Sequence, residues 1–216
     1  LYAPFLARYD RVIVFSKLQA DILIKLGVPA KTLSVIPNGV DTARWSPAGA
    51  SSNALLQKNV RQRLGGERIF LYMGRLVTEK NVEALLRAWR LVSPEGCRLV
   101  VVGDGPLTSN LQNQFSDPQI LWWGYEPDLD TRIALLQCAE VFLLPSLVEG
   151  LSLALLEAMA TGTACVATDA GADGEVLAGG AGIVISTQII SPTKLWIVEI
   201  PGRDRSQNPI MIGYYL

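Results

Sequence analysis

Between residues 54 and 186, short apolar runs alternate with longer stretches in which apolar positions recur every three or four residues. The runs at 69–73, 98–102, 120–123, 141–144, 164–168 and 182–185 read as strands buried on both faces, because a covered parallel sheet leaves its strands no polar side. Between the first two, Val82, Leu85, Leu86, Trp89 and Val92 fall on one face of a helical repeat, which predicts an amphipathic helix. Strands and helices in this alternation predict an α/β fold: a Rossmann-like parallel sheet with helices on both faces.

A smaller unit precedes it. Residues 11–15 read as a strand, Ser16 as the cap of a helix whose apolar face carries Leu18, Ile22, Leu23 and Leu26, and Gly27 as its stop. A second strand at 33–36 runs into the turn signal Pro37-Asn38-Gly39. Two strands and one helix are too little sheet to stand alone, so residues 1–40 are expected to be the last βα unit of a preceding domain, with 41–53 as a linker. Beyond Ser186 the alternation fails: Pro192, Pro201 and Pro209 interrupt short apolar pieces, and 187–216 reads as an atypical tail.

Composition narrows the functions open to this chain. Nineteen Lys and Arg against twenty Asp and Glu leave a formal charge of -1, so there is no basic field for nucleic acid, and any anion site must be local. The absence of histidine excludes a His-ligated zinc site, a Ser-His-Asp triad and a histidine base within these residues. Cys97, Cys138 and Cys165 lie far apart in apolar settings, which suits reduced thiols and a cytoplasmic location. The nearly uncharged stretch 150–168 carries Glu157 near its middle and Gly162 after it, which argues for a buried helix and strand and against a transmembrane span.

Candidate chemistry gathers where predicted strands end. Gly74 follows the first strand, and Arg75 and Lys80 flank the start of the long helix; two cations there suffice to balance a diphosphate without metal. The same charges also fit a solvated surface on which Glu79 pairs one of them. Downstream, Glu149 precedes a helix expected to start near Gly150, whose first free amides, those of Leu151, Ser152 and Leu153, form an anion site. Glu157 sits two turns along among Leu155, Leu156, Ala158 and Met159, where a carboxylate is expensive without a partner. The run Val101-Val102-Gly103-Asp104-Gly105-Pro106 lacks the third glycine of a dinucleotide fingerprint and reads equally well as a tight strand-to-helix turn. Gly124 and Tyr125 follow a Trp pair that reads as core, and Glu175 opens a short helix near the same sheet end.

Taken in order, IPNGVD, GRLVTEKN, VVGDGPL and PSLVEGLSLALLEAMATGTACVATDAG resemble the retaining glycosyltransferases of the GT-B fold, the group 1 family that includes sucrose synthases and bacterial mannosyl- and glucosyltransferases. The resemblance covers roughly residues 10–186. It implies a hexosyltransferase that takes a nucleotide diphosphate sugar as donor, uses no metal ion or other cofactor, and leaves the acceptor (sugar, lipid or small molecule) undefined. It implies that Arg75 and Lys80 bind the diphosphate, with catalytic roles shared with Glu149, which faces the transferred sugar. It further implies that Gly74 approaches the donor, Gly124 and Tyr125 hold the base, Glu157 holds the ribose, the backbone at Gly150, Leu151, Ser152 and Leu153 meets phosphate and sugar, and Glu175 lies close by.

In these terms residues 1–40 become a remnant of the acceptor-binding domain and 54–186 the nucleotide-sugar-binding domain. Ser152 stands where many relatives have glycine, a change that keeps the amide available. The rest of the acceptor domain, with its glycine-rich loop and active-site histidine, has no counterpart here, nor does the sequence after Ser186 resemble the family's closing helices. The expectation is therefore a fragment holding the donor site, with any peripheral membrane contact lying in the missing domain of the full-length enzyme. The alternatives are a catalytically incomplete fragment that binds a nucleotide sugar without activity, and a GT-B sugar-phosphate enzyme such as an epimerase.

Overall fold

A computed structural model describes residues 3–49, 53–65, 68–92, 95–187, 198–200 and 210–212. In chain order the first unit contains α1 (Ala3–Leu6), β1 (Val12–Val14), α2 (Lys17–Lys25) and β2 (Leu33–Val35). The main unit follows as α3 (Ala54–Leu64), β3 (Arg68–Met73), α4 (Val82–Val92), β4 (Cys97–Val102), α5 (Thr108–Gln114), β5 (Ile120–Gly124), α6 (Leu129–Cys138), β6 (Val141–Leu144), α7 (Leu153–Ala160), β7 (Ala164–Thr168), α8 (Asp173–Leu177) and β8 (Ile183–Ile185). An antiparallel pair, β9 (Val198–Ile200) and β10 (Ile210–Ile212), is described in the tail, and the rest of 188–216 lies outside the described residues.

The six main strands form one parallel sheet in the order β5-β4-β3-β6-β7-β8. Numbered from its own first strand this is 3-2-1-4-5-6, the doubly wound Rossmann order, whose direction reverses between β3 and β6. Alternate residues of each strand feed opposite cores. Leu71, Val100 and Phe142 pack with Leu64, Leu135 and Leu155 from α3, α6 and α7. Phe70, Leu99 and Val141 pack with Leu86, Trp89 and Leu111 from α4 and α5. Both faces are thus covered, which is why the strands carry unbroken apolar runs.

Local chemistry sets the helix ends. Ser16, Asn53 and Asp128 cap α2, α3 and α6 through bonds from the backbone N–H of Gln19, Leu56 and Thr131. Gly65, in the left-handed region at φ 59°, closes α3.

The β3–β6 junction is uneven along its length. At its amino end the Arg68 guanidinium grips both carboxylate oxygens of Glu140, with Nε 2.8 Å from Oε2. The ladder pairs Phe70 with Val141 and Leu71 with Phe142 and goes no further, so the strands stop pairing before their carboxyl ends.

The first unit is a parallel β1–β2 pair with α2 against it, as its pattern predicts. Its apolar helix face is not covered by the described residues: Ile22 and Leu26 are exposed on or beside α2, and Ile13 and Ile36 on or beside the strands. The expected linker packs on the main unit: Trp45 is buried in the α3–α6–α7 core and Gln137 donates to the Ser46 carbonyl at 2.8 Å. Segment 150–168 is α7 followed by β7, and no helix among the described residues is long and apolar enough to cross a membrane.

Candidate functional site

The reversal of strand order places the carboxyl ends of β3 and β6 side by side, the location at which open α/β sheets gather ligands. The turn after β3 carries Gly74, Arg75 and Lys80; the turn after β6 carries Ser146, Glu149 and Gly150. The two turns touch directly, since Leu147 N–H donates to the Glu79 carbonyl at 2.8 Å.

Lys80 and Glu149 meet there as an ion pair through Nζ and Oε1, and Ser146 Oγ donates to the same carboxylate oxygen at 2.7 Å. The Glu149 side chain is only 9% exposed, so these two partners replace much of the water it has lost. An ammonium carries three N–H groups, and one faces Glu149, which leaves others to meet a second anion. Arg75 lies on the same turn with its side chain 74% exposed and Nη2 3.9 Å from Glu79, the surface pairing that the sequence also admitted. Beneath it, Tyr72 Oη donates to the Arg75 carbonyl at 2.8 Å, and burial, followed by the Glu149 charge, holds the phenol above its ordinary pKa.

The helix after Glu149 starts later than its sequence suggests. Ser152 is the N-cap, its Oγ accepting from Leu155 N–H at 3.4 Å, and α7 begins at Leu153. Gly150 is needed for another reason: a Cβ there would lie 2.9 Å from Cε2 of Phe15 in the first unit. The later start puts Glu157 one turn into the helix, where the sequence reading put it two. Of the three expected free amides, that of Ser152 is used, donating to Asp173 Oδ1 at 2.8 Å. Those of Leu151 and Leu153 have no partner among the described residues.

Asp173 was not singled out by sequence. It is fully buried at the start of α8, with Oδ2 lacking any partner. Loss of solvent raises its pKa to about 6; the Ser152 N–H and the Lys80 charge pull the other way, and the Glu149 charge adds to the rise. Nothing in the string Ala172-Asp173-Gly174 signals burial, because the contact that buries the carboxylate comes from a residue 21 positions away.

The remaining expected residues divide. Gly124 accepts from Gly103 N–H at 2.8 Å and sits at φ 88° with open space where a Cβ would be, while Tyr125 beside it is exposed. Gly74 follows the last residue of β3, its N–H bonded to the Val102 carbonyl at 3.0 Å. Glu157 has the partner its apolar surroundings demand: Arg132 of α6, whose Nη2 lies 3.0 and 3.2 Å from the two carboxylate oxygens, an ion pair the sequence reading did not identify. Burial raises the Glu157 pKa against the opposing pull of Arg132. Glu175 is held by the first unit, accepting from Leu18 N–H at 2.8 Å.

Residues 67–193 match the family model described as Glycosyl transferases group 1, and residues 1–44 match that of Glycosyltransferase Family 4. The chain belongs to the group 1 glycosyl transferases. Among relatives of this group 1 chain, the Escherichia coli UDP-Gal:alpha-D-GlcNAc-diphosphoundecaprenol alpha-1,3-galactosyltransferase is 31% identical over 170 residues, 74% of this chain and 42% of that protein. The mannosylfructose-phosphate synthase of Agrobacterium fabrum is 29% identical over 175 residues, 74% of this chain and 37% of that protein. In fold it is similar to Anabaena HepE solved with UDP-glucose, with a TM-score of 0.72 and 20% identity over 85% of this chain and 52% of that one. The sucrose-phosphate synthase of Thermosynechococcus elongatus gives a TM-score of 0.69 and 24% identity over 86% of this chain and 47% of that one. The group 1 chain thus spans about half the length or less of these relatives.

Proposed function

We propose that this chain holds the donor site of a retaining hexosyltransferase that uses a nucleotide diphosphate sugar. What supports the reading is that the Lys80–Glu149 pair lies on the turns at the strand-order reversal, with the open amides of Leu151 and Leu153 two and four residues after Glu149. The donor diphosphate lies between them, with Arg75 free to swing onto its outer oxygens. As the bond from the anomeric carbon to the diphosphate oxygen breaks, negative charge grows on the leaving group. Fixed N–H donors and a cation already in place stabilise that charge without reorganisation. Glu149, held by Lys80 and Ser146, accepts from hydroxyls of the transferred sugar. Gly124 and Tyr125 receive the base, and Glu157 receives the ribose once Arg132 shares it. Glu175 acts at one remove, through its contact with the first unit.

Calorimetric titration with uridine and guanosine diphosphate sugars tests this. One nucleoside series binds, and Lys80→Met weakens it by about tenfold or more, the loss of one charge-assisted bond. Binding that is indifferent to Lys80 would remove the assignment. A second reading rests on the share of its relatives' length that the chain spans: donor binding with no transfer of its own. An acceptor-free hydrolysis assay separates the two, since only the first predicts slow release of free sugar.

A further inference from the structure

Four hydrogen bonds fix two consecutive peptide planes beside the Lys80–Glu149 pair. The Gly150 carbonyl accepts from Gln19 Nε2 at 2.9 Å and from Ala172 N–H at 2.8 Å. The Leu151 carbonyl accepts from Asn38 Nδ2 at 2.9 Å, and the N–H on the far side of that peptide, Ser152's, donates to Asp173. All described peptides are trans, so the C=O and N–H of one plane point in opposite directions. Holding the Gly150 carbonyl toward Gln19 and Ala172 therefore directs the Leu151 N–H away from both.

Gln19 is itself held. Its Oε1 accepts from Phe15 N–H at 2.8 Å, which assigns the amide orientation and commits Nε2 to Gly150. The Phe15 ring fills the space beside Gly150 that any side chain would need. Both carboxamides come from the first unit, Gln19 from α2 and Asn38 from the turn after β2, more than 100 residues before the segment they orient.

We propose that Gln19 and Asn38 are positioning residues that preset the 150–152 peptides, so that the Leu151 N–H receives an anionic oxygen of a nucleoside diphosphate. The inference rests on the donor-site reading above and adds that the neighbouring unit sets the affinity for the diphosphate through the peptides it holds. A preset donor loses no orientational freedom on binding, so removing the presetting costs affinity for the diphosphate and not for the nucleoside.

The test compares UDP with UMP, and GDP with GMP, by titration calorimetry on the full chain. The unaltered chain is expected to prefer the diphosphate by about tenfold or more. In Gln19→Met/Asn38→Leu that preference shrinks to within about threefold, while affinity for the monophosphate changes by less than about twofold. A general loosening of the fold would weaken both ligands alike and would overturn the proposal, as would an unchanged preference in the folded variant. A parent chain with no diphosphate preference overturns the donor-site reading and this proposal together. Hydrogen exchange on the unaltered chain reads the same arrangement without a variant. UDP should slow exchange of the Leu151 amide by about tenfold or more, and UMP should not, with Ser152 protected in both states. Equal exchange of Leu151 with and without UDP refutes the assignment.

Discussion

A buried carboxylate with one oxygen unpartnered is costly, and Asp173 is such a group at the edge of the site. Its folded pKa, raised to about 6, lies above the ordinary 3.8, so the folded state holds a proton that the unfolded chain releases between those values. Its stabilising contribution is accordingly complete below the unfolded value and lost as pH rises through about 6. Asp173→Asn keeps an acceptor for the Ser152 N–H and removes the charge. The stability difference between parent and variant, from urea unfolding across the acid-to-neutral range, should tilt toward the variant as pH rises, changing by on the order of 2–3 kcal/mol between acid and neutral pH. A flat difference curve would mean that the carboxylate is better solvated than its surroundings indicate. Glu157 poses the same problem and solves it differently, with one guanidinium nitrogen of Arg132 shared between both its oxygens. That a partner was required could be read from its apolar neighbours; which residue supplies it could not, because Arg132 lies on another helix.

At the level of strands, helices and turns, glycine placement decides how closely consecutive loops interlock. Gly103, at φ 132°, runs so near the β3 exit that a Cβ would fall 1.9 Å from the Gly74 carbonyl oxygen. Gly103→Ala should cost about 3 kcal/mol or more, through backbone that cannot move without disturbing β3 and β4. Gly39→Ala meets nothing within 4 Å and should be neutral or stabilise by about 0.5 kcal/mol, by restricting the unfolded chain. Thermal unfolding of the two variants checks the contrast; similar losses would refute it. All six main strands were legible because a two-sided buried strand writes its whole length in apolar residues, as in Val141–Leu144. The α7 start was misplaced because Gly150 looks like a helix opening in sequence, whereas the space beside it is taken by Phe15, far away in the chain. Asn38 was legible only as a turn residue, since its bond to Leu151 spans 113 positions. Local pattern records which elements form; it does not record which side chains reach across between them.

Taken whole, the described residues form a covered sheet joined to a small unit whose apolar side they leave uncovered. Ile13, Ile22, Leu26 and Ile36 are 47–61% exposed, apolar surface that favours contact with other copies. The chain should therefore self-associate as concentration rises, and Ile22→Gln/Leu26→Gln should reduce this in sedimentation velocity while changing unfolding free energy by less than about 0.5 kcal/mol. Unaltered association in that variant would place the sticky surface elsewhere. The uneven junction between β3 and β6 has a different bearing, on how such a protein changes over evolutionary time. A pocket carved by side chains closes when one of them is enlarged, but an opening set where two strands stop pairing is placed by the winding of the chain. Its walls can be redecorated for a new ligand while the Arg68 fork on Glu140 keeps the far border sewn shut, so altered preference and retained architecture do not compete for the same residues.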